Sequence, residues 1–132
     1  MEHKEIVRQW IELADKDLAL AMHTAKTMHP VPYGIVCFHC QQFAEKYLKG
    51  FLVSKGKEPP HVHDLVKLAA LCETENSEFE QIKQKCVILT QYGVQPRYPG
   101  GMEVNEEDMA RALHFSNDIK TFIQEKVPEL FL

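Results

Sequence analysis

The sequence lacks several features that would have narrowed its function at once. No apolar run is long enough to cross a membrane, and the first ten residues, MEHKEIVRQW, are charged. Neither a signal peptide nor a transmembrane segment is therefore expected, and the cytoplasm is the expected compartment. There is no excess of basic charge. The net charge is −4 with seven histidines, so no global footprint for nucleic acid exists, although a local patch is still compatible with these totals. Repeats and low-complexity segments are absent, and no strand pattern is evident. A length of 132 residues with 45% hydrophobic and 26% charged residues suits one domain, residues 1–132, with a real core.

Four cysteines are present, Cys37, Cys40, Cys72 and Cys86. Cys37 and Cys40 have CxxC spacing, but a redox CxxC opens a helix after a strand, and a zinc site needs a second ligand pair. His39 projects away from the Cys37/Cys40 side of a helix. Buried free cysteines acting as small hydrophobes are the expectation, and they agree with a reducing compartment. His61 and His63 form an HxH spacing with no third ligand in view, so no metal and no cofactor is expected.

What is present is helix. The stretch Tyr33–Ser54, YGIVCFHCQQFAEKYLKGFLVS, is the most apolar segment and has no strong interior breaker. It predicts a central helix on which Cys37, Cys40, Ala44, Tyr47, Leu48 and Phe51 form one stripe, widened by Val36 and Phe43. Gln41, Glu45 and Lys49, spaced i, i+4, i+8, form a polar stripe opposite. Glu45 precedes Lys49 in the favourable ion-pair orientation, worth ~0.3–0.5 kcal/mol on an exposed face. Ile35 and Phe38 fall on that polar side, which calls for a second neighbour or a partner subunit to cover them.

The remaining segments read as follows. Residues 2 to 28 carry Ile6, Trp10, Leu13, Ala14, Leu18, Ala21 and Ala25 near a 3.6 period, and His29-Pro30-Val31-Pro32 ends that helix. Gly56 reads as a left-handed cap after the central helix. Asp64 is the expected N-cap of a short third helix with Leu65, Leu68, Ala69 and Leu71 inside. Ser77-Glu78-Phe79-Glu80 reads as a capping box opening a helix to about residue 92, with Phe79, Ile82, Cys86 and Leu89 on one face. Gln95-Pro96-Arg97-Tyr98-Pro99-Gly100-Gly101 is a loop. Asn105 caps a final helix whose first turn holds Glu106, Glu107 and Asp108. Its inner face is Met109, Ala112, Leu113, Ser116, Ile119 and Ile123, and Pro128 stops it. The expected fold class is all-α, a five-helix up-and-down antiparallel bundle.

The order Gln41-x-x-Ala44-Glu45-Lys46-x-Leu48-Lys49, then His63-Asp64-Leu65, then Tyr92 followed by Arg97-Tyr98-Pro99, resembles the HEPN domain. Ala14, Asp17 and Ala21 in the first helix fit as well. The resemblance spans about residues 5 to 125. No one motif is specific; their joint order in a helical chain of this length carries it. It implies a HEPN-like bundle that homodimerises, and a stand-alone member encoded beside a minimal nucleotidyltransferase in a toxin–antitoxin-like pair. It also implies binding of a nucleotide or RNA phosphate. Several branches are metal-independent ribonucleases carrying an Arg followed within a few residues by a His. Arg97 occupies the place of that Arg, but Gly101, Met102 and Glu103 stand at the place of the His. The sequence thus departs from the ribonuclease pattern at the general acid/base, and no catalytic residue beyond Arg97 is assigned. Arg111 and His114 stand too close together, inside the last helix.

Three functional expectations follow. The first is a binding module whose ligand-binding residues are Glu45, Lys49, His63, Asp64, Arg97 and Tyr98. Arg97 is the strongest candidate, because its planar fork matches phosphate and it lies in a loop. The second is a ribonuclease toxin using Arg97 with a non-standard acid/base. The third is an inert interaction scaffold whose polar stripe is structural. Tyr98 is as consistent with packing as with recognition.

Overall fold

The computed structural model describes residues 2–93 and 99–128. It contains five α-helices: α1 (Glu2–Thr27), α2 (Tyr33–Ser54), α3 (Leu65–Glu75), α4 (Lys83–Thr90) and α5 (Glu106–Lys126). Short 3-10 segments, Ser77–Ile82 and Gln91–Gly93, flank α4. Among the described residues there is no strand, and no helix is long and apolar enough to cross a membrane. The fold is the expected all-α helical bundle.

The central helix spans Tyr33–Ser54 as read from the sequence and packs against all four others. Its apolar stripe is fully enclosed: Cys37, Cys40, Ala44, Tyr47, Leu48 and Phe51 have no exposed surface. Aromatic pairs extend this core, with Phe51 tilted against Phe79 at 4.4 Å and Phe79 edge-on to Phe122 at 5.1 Å. The helix ends in a Schellman motif. Gly56, at φ 77°, lets Lys57 N–H reach the Leu52 carbonyl at 3.0 Å and Gly56 N–H the Val53 carbonyl at 2.9 Å. Where α1 crosses α2, a Cβ on Gly50 would meet Trp10 Cβ at 3.2 Å and Ile11 Cδ1 at 3.3 Å. The two helices therefore approach closely only because position 50 has no side chain.

Four expectations need correction. In α1 the buried seam is Val7, Ile11, Ala14, Leu18 and Ala21, whereas Ile6 and Leu13 are exposed and Trp10 is half-buried. The sequence of α1 offers two apolar seams one residue apart. Packing selects the one whose alanines allow close approach to α2, and Leu20 is left outside with Ile6 and Leu13. In α3, Leu71 is exposed and Cys72 takes the inner position. In the segment after α3, the cap is Asn76 rather than Ser77. Its side chain accepts from Glu78 N–H at 2.9 Å, a 3-10 segment follows, and α4 proper begins only at Lys83.

The fourth concerns the polar stripe of α2. The sequence places Gln41, Glu45 and Lys49 on an open face or site. They are buried, at 0, 5 and 6% exposure. Their side of α2 is covered by α1 and by the chain entering α3.

The helix ends follow the sequence more closely. Asp64 Oδ1 accepts from Val66 N–H at 2.8 Å and Lys67 N–H at 3.4 Å, as the N-cap of α3. Asn105 and Asp108 exchange side-chain-to-backbone bonds at the start of α5, a complete capping box. On the inner face of α5, Ala112, Ser116, Ile119 and Ile123 are buried, Met109 and Leu113 are partly covered, and Phe122 joins them.

Candidate functional site

Buried charges are stable only when paired and hydrogen-bonded. The α2 stripe meets that condition by converging on one carboxylate. Glu45 accepts from Lys49 Nζ at 3.0 Å and from Gln41 Nε2 at 3.3 Å, and its two oxygens each lie 3.1 Å from His63 Nδ1. Gln41 Nε2 also donates to the His63 carbonyl at 3.0 Å, while Gln41 Oε1 accepts from Gln42 Nε2 at 2.8 Å. The i, i+4, i+8 spacing puts the three groups in line, and residue 63 arrives from the α2–α3 connector. A Cβ on Gly93 would stand 3.3 Å from Gln41 Cδ, so the end of the second 3-10 segment closes on this cluster too.

The structure thus brings together three of the six expected site residues, Glu45, Lys49 and His63. Asp64 follows His63 but is committed to the first turn of α3. Arg97 and Tyr98 lie outside the described residues. Arg111 pairs with Asp108 at 3.3 Å and His114 lies 3.4 Å from Asp118, each within α5.

Sequence reasoning misses the open space beside this cluster. A pocket of about 420 Å³ lies between α1, the end of α2 and the Gly56–His61 connector. Lys49 lines it, and its ammonium sits 5.8 Å from the centroid of the Trp10 ring, a cation–π distance. His3, Lys57, Glu58 and His61 line it as well, and Ile6, Val53, Pro59 and Pro60 supply apolar wall. Periodicity assigns Trp10 to the core, yet it is half-buried and faces this space. His61 enters the sequence reading only as half of a metal site. The available signal is the position of Lys49, one turn from the end of α2, which carries its cation toward the connector.

A second polar cluster is also invisible to the sequence pattern. Asp17 on α1 holds His39 Nδ1 at 3.0 Å with one oxygen and Lys46 Nζ with the other. Asp15 accepts from the Tyr47 hydroxyl at 3.1 Å and pairs with Lys120 at 3.2 Å. These ties fix α1 to α2 and α5, and they occupy the polar face of α1 around residues 15–17.

The cysteines belong to the core. Burial pushes Cys37 up to about 12, with the nearby Cys40 and Asp108 adding to the effect. Burial likewise takes Cys40 to about 11, offset in part by the Ser116 hydroxyl, and raises Cys72 and Cys86. Among the described residues no group of three or more His, Cys, Asp or Glu side chains could hold a metal. A thiol reagent such as DTNB at pH 8 is expected to leave the native protein essentially unmodified and to titrate four thiols once urea unfolds it, because the thiolate is the reactive species. Fast reaction of any one thiol in the native state would show that the core placement is wrong.

Five packed helices around one buried axis, closed on a paired carboxylate, define an all-α helical bundle with an internal polar cluster. The chain belongs to the HEPN family: the sequence profile described as HEPN domain matches residues 7–127. Similar solved structures include the following two. TT1696 from Thermus thermophilus is 25% identical, superposes with a TM-score of 0.80, and the match covers 91% of this chain and 97% of that one. ST0689, described as an archaeal HEPN homologue, is 26% identical with a TM-score of 0.73, covering 92% of this chain and 97% of that one. No match is found among curated proteins.

Proposed function

We propose that this HEPN protein is a binding module for a nucleotide or an RNA phosphate, seated in the pocket between α1, the end of α2 and the connector. One observation carries this reading. Lys49, fixed by Glu45, stands over the Trp10 ring, and both line a pocket that also holds Lys57, His61 and His3. An aromatic face beside cationic and imidazole donors is what a base with an attached phosphate needs. The volume is within the range of small-molecule sites. In this reading the Glu45–Lys49–His63 cluster supports the floor of the site. The protein acts as a homodimer, supported by exposed apolar side chains on α1 and α2 (Leu13, Leu20 and Ile35). It pairs with a minimal nucleotidyltransferase, in a toxin–antitoxin-like arrangement.

Trp10 is the single tryptophan of the chain and lines this pocket, so its fluorescence senses a ligand there without interference from another indole. Adding mononucleotides or a short single-stranded RNA is expected to change that emission saturably. Lys57→Ala is expected to weaken the response several-fold, since Lys57 is exposed and its loss leaves the core intact. A flat titration with all of these ligands would refute the reading. Metal-free cleavage of RNA that is abolished by Arg97→Ala would replace it with a nuclease.

A further inference from the structure

The charges around the pocket are more nearly balanced than its lysines suggest. Lys49 is 8% exposed at its side chain and pairs with Glu45 directly behind it, so it shapes the floor without adding net charge. Lys57 is exposed, but its ammonium lies 3.9 Å from Glu75 of α3. The next residue, Glu58, lines the same pocket, and Glu58 and Lys57 also border the neighbouring hollow that holds Glu75. Two lysines stand against Glu58 in the wall, Glu45 behind Lys49 and Glu75 beside Lys57, a fixed charge of −1, leaving His3 and His61 as polar partners. The rest of the lining is apolar: Ile6, Val53, Pro59 and Pro60 beside Trp10. A site built for a polyphosphate would need several uncompensated cations converging on it. This pocket has one cation on its rim, shared with Glu75, and an acid beside it.

We infer that the pocket selects a ligand with one phosphate, a nucleoside monophosphate, over its di- and triphosphate, and that Glu58 sets this preference. The inference rests on the pocket being the nucleotide seat. The base lies against Trp10, the single phosphate takes Lys57 from Glu75, and Glu58 repels any further phosphate along the rim. Glu58 is exposed at the surface of the connector, and the described structure gives it no ion pair, so replacing it removes a charge and little else.

The test follows Trp10 fluorescence of the intact protein titrated with AMP, ADP and ATP at constant ionic strength without divalent metal. For the native sequence, affinity is expected to fall from AMP to ATP by on the order of three- to tenfold, the size of one or two screened charge repulsions near a surface. Glu58→Gln is expected to close that gap by strengthening ATP more than AMP, and Glu58→Lys to reverse the order. A mere packing role for Glu58 would shift all three ligands together, and so would overturn the inference. ATP binding as tightly as AMP to the native protein would overturn it as well. In that case the pocket still binds nucleotides and the reading of function stands. Silence toward every nucleotide takes down that reading, and this inference with it.

Discussion

Glu45→Ala is expected to lower the free energy of unfolding by about 3–5 kcal/mol, the cost of breaking a buried ion pair and stranding one partner. Glu45 and Lys49 are 7 and 8% exposed at their side chains and 3.0 Å apart. With the carboxylate gone, the Lys49 ammonium is left in a wall of Trp10 and apolar side chains, and Gln41 loses one of its acceptors. Lys49→Met should cost less than Glu45→Ala. Glu45 would keep Gln41 and the His63 ring, and a methionine stem fills the space of the lysine stem. The combined Glu45→Leu/Lys49→Met variant should regain most of the loss, because no charge is left unpaired. Urea denaturation of Glu45→Leu, Lys49→Met and the double variant closes the cycle. Additive losses in the double would show that the pair is solvated and energetically independent. His63→Ala is expected to change stability far less, since that ring is 76% exposed.

This pair also marks the limit of what the chain reveals as a string. A heptad-like stripe of Cys37, Cys40, Ala44, Tyr47, Leu48 and Phe51 is legible because burying one face requires that period. Gly56, Asp64 and Asn105 are legible because caps are local: the side chain and the N–H or carbonyl it serves lie within a few residues. The burial of Gln41, Glu45 and Lys49 is not local. It depends on α1 lying close, which depends on Gly50, and on residue 63 arriving from a different segment. Periodicity reads the polar stripe as outward, and only the partner groups show that it is an internal network. The register of α1 escapes the sequence for a related reason. Two seams satisfy the same period, and the choice between them is made by the surface of α2, not by α1.

The same distinction separates the two halves of the candidate site. Glu45, Lys49 and His63 stand out as polar residues on a family pattern, and they meet in space. The pocket beside them is assembled from α1, α2 and a connector, with no motif in any one of them. Trp10 looks like core because a tryptophan on an amphipathic helix usually is. The residue is half-buried: its Cβ lies against Gly50, where α1 and α2 meet, and its ring lies beside the Lys49 ammonium. The proposed site therefore follows from tight packing at one glycine, a feature whose consequence lies far along the chain from the residues it places.

Raising the pH is expected to unfold the protein steeply from just above pH 9. The sign follows from the thiols. Burial raises the pKa of Cys37, Cys40, Cys72 and Cys86 above the ordinary 9.0, to about 11–12 where the shift is moderate. Between 9 and those values the unfolded chain has lost protons that the native state still holds, so stability falls as pH rises and is fully present below about 9. Each such thiol contributes at most about 1.4 kcal/mol per pH unit, and four together approach about 5 kcal/mol per unit. Against a typical stability of about 5–15 kcal/mol, that brings the midpoint of alkaline unfolding to about pH 10–12. Burial also raises Tyr92, and Tyr47, which donates to Asp15, but their unfolded-state hydroxyls titrate from 10.0 rather than 9.0, so between pH 9 and 10 the cysteines carry most of the slope. Urea midpoints at pH 7, 8, 9 and 10 measure the slope. Cys72→Val, which removes one thiol but keeps an apolar group of similar size, should reduce the slope between pH 9 and 10 by about a quarter whatever it does to stability at pH 7. A slope unchanged in that variant would mean that Cys72 ionises alike in the folded and unfolded chains, which a sulfur with no exposed surface, 3.5 Å from the Leu48 carbonyl of α2, does not allow.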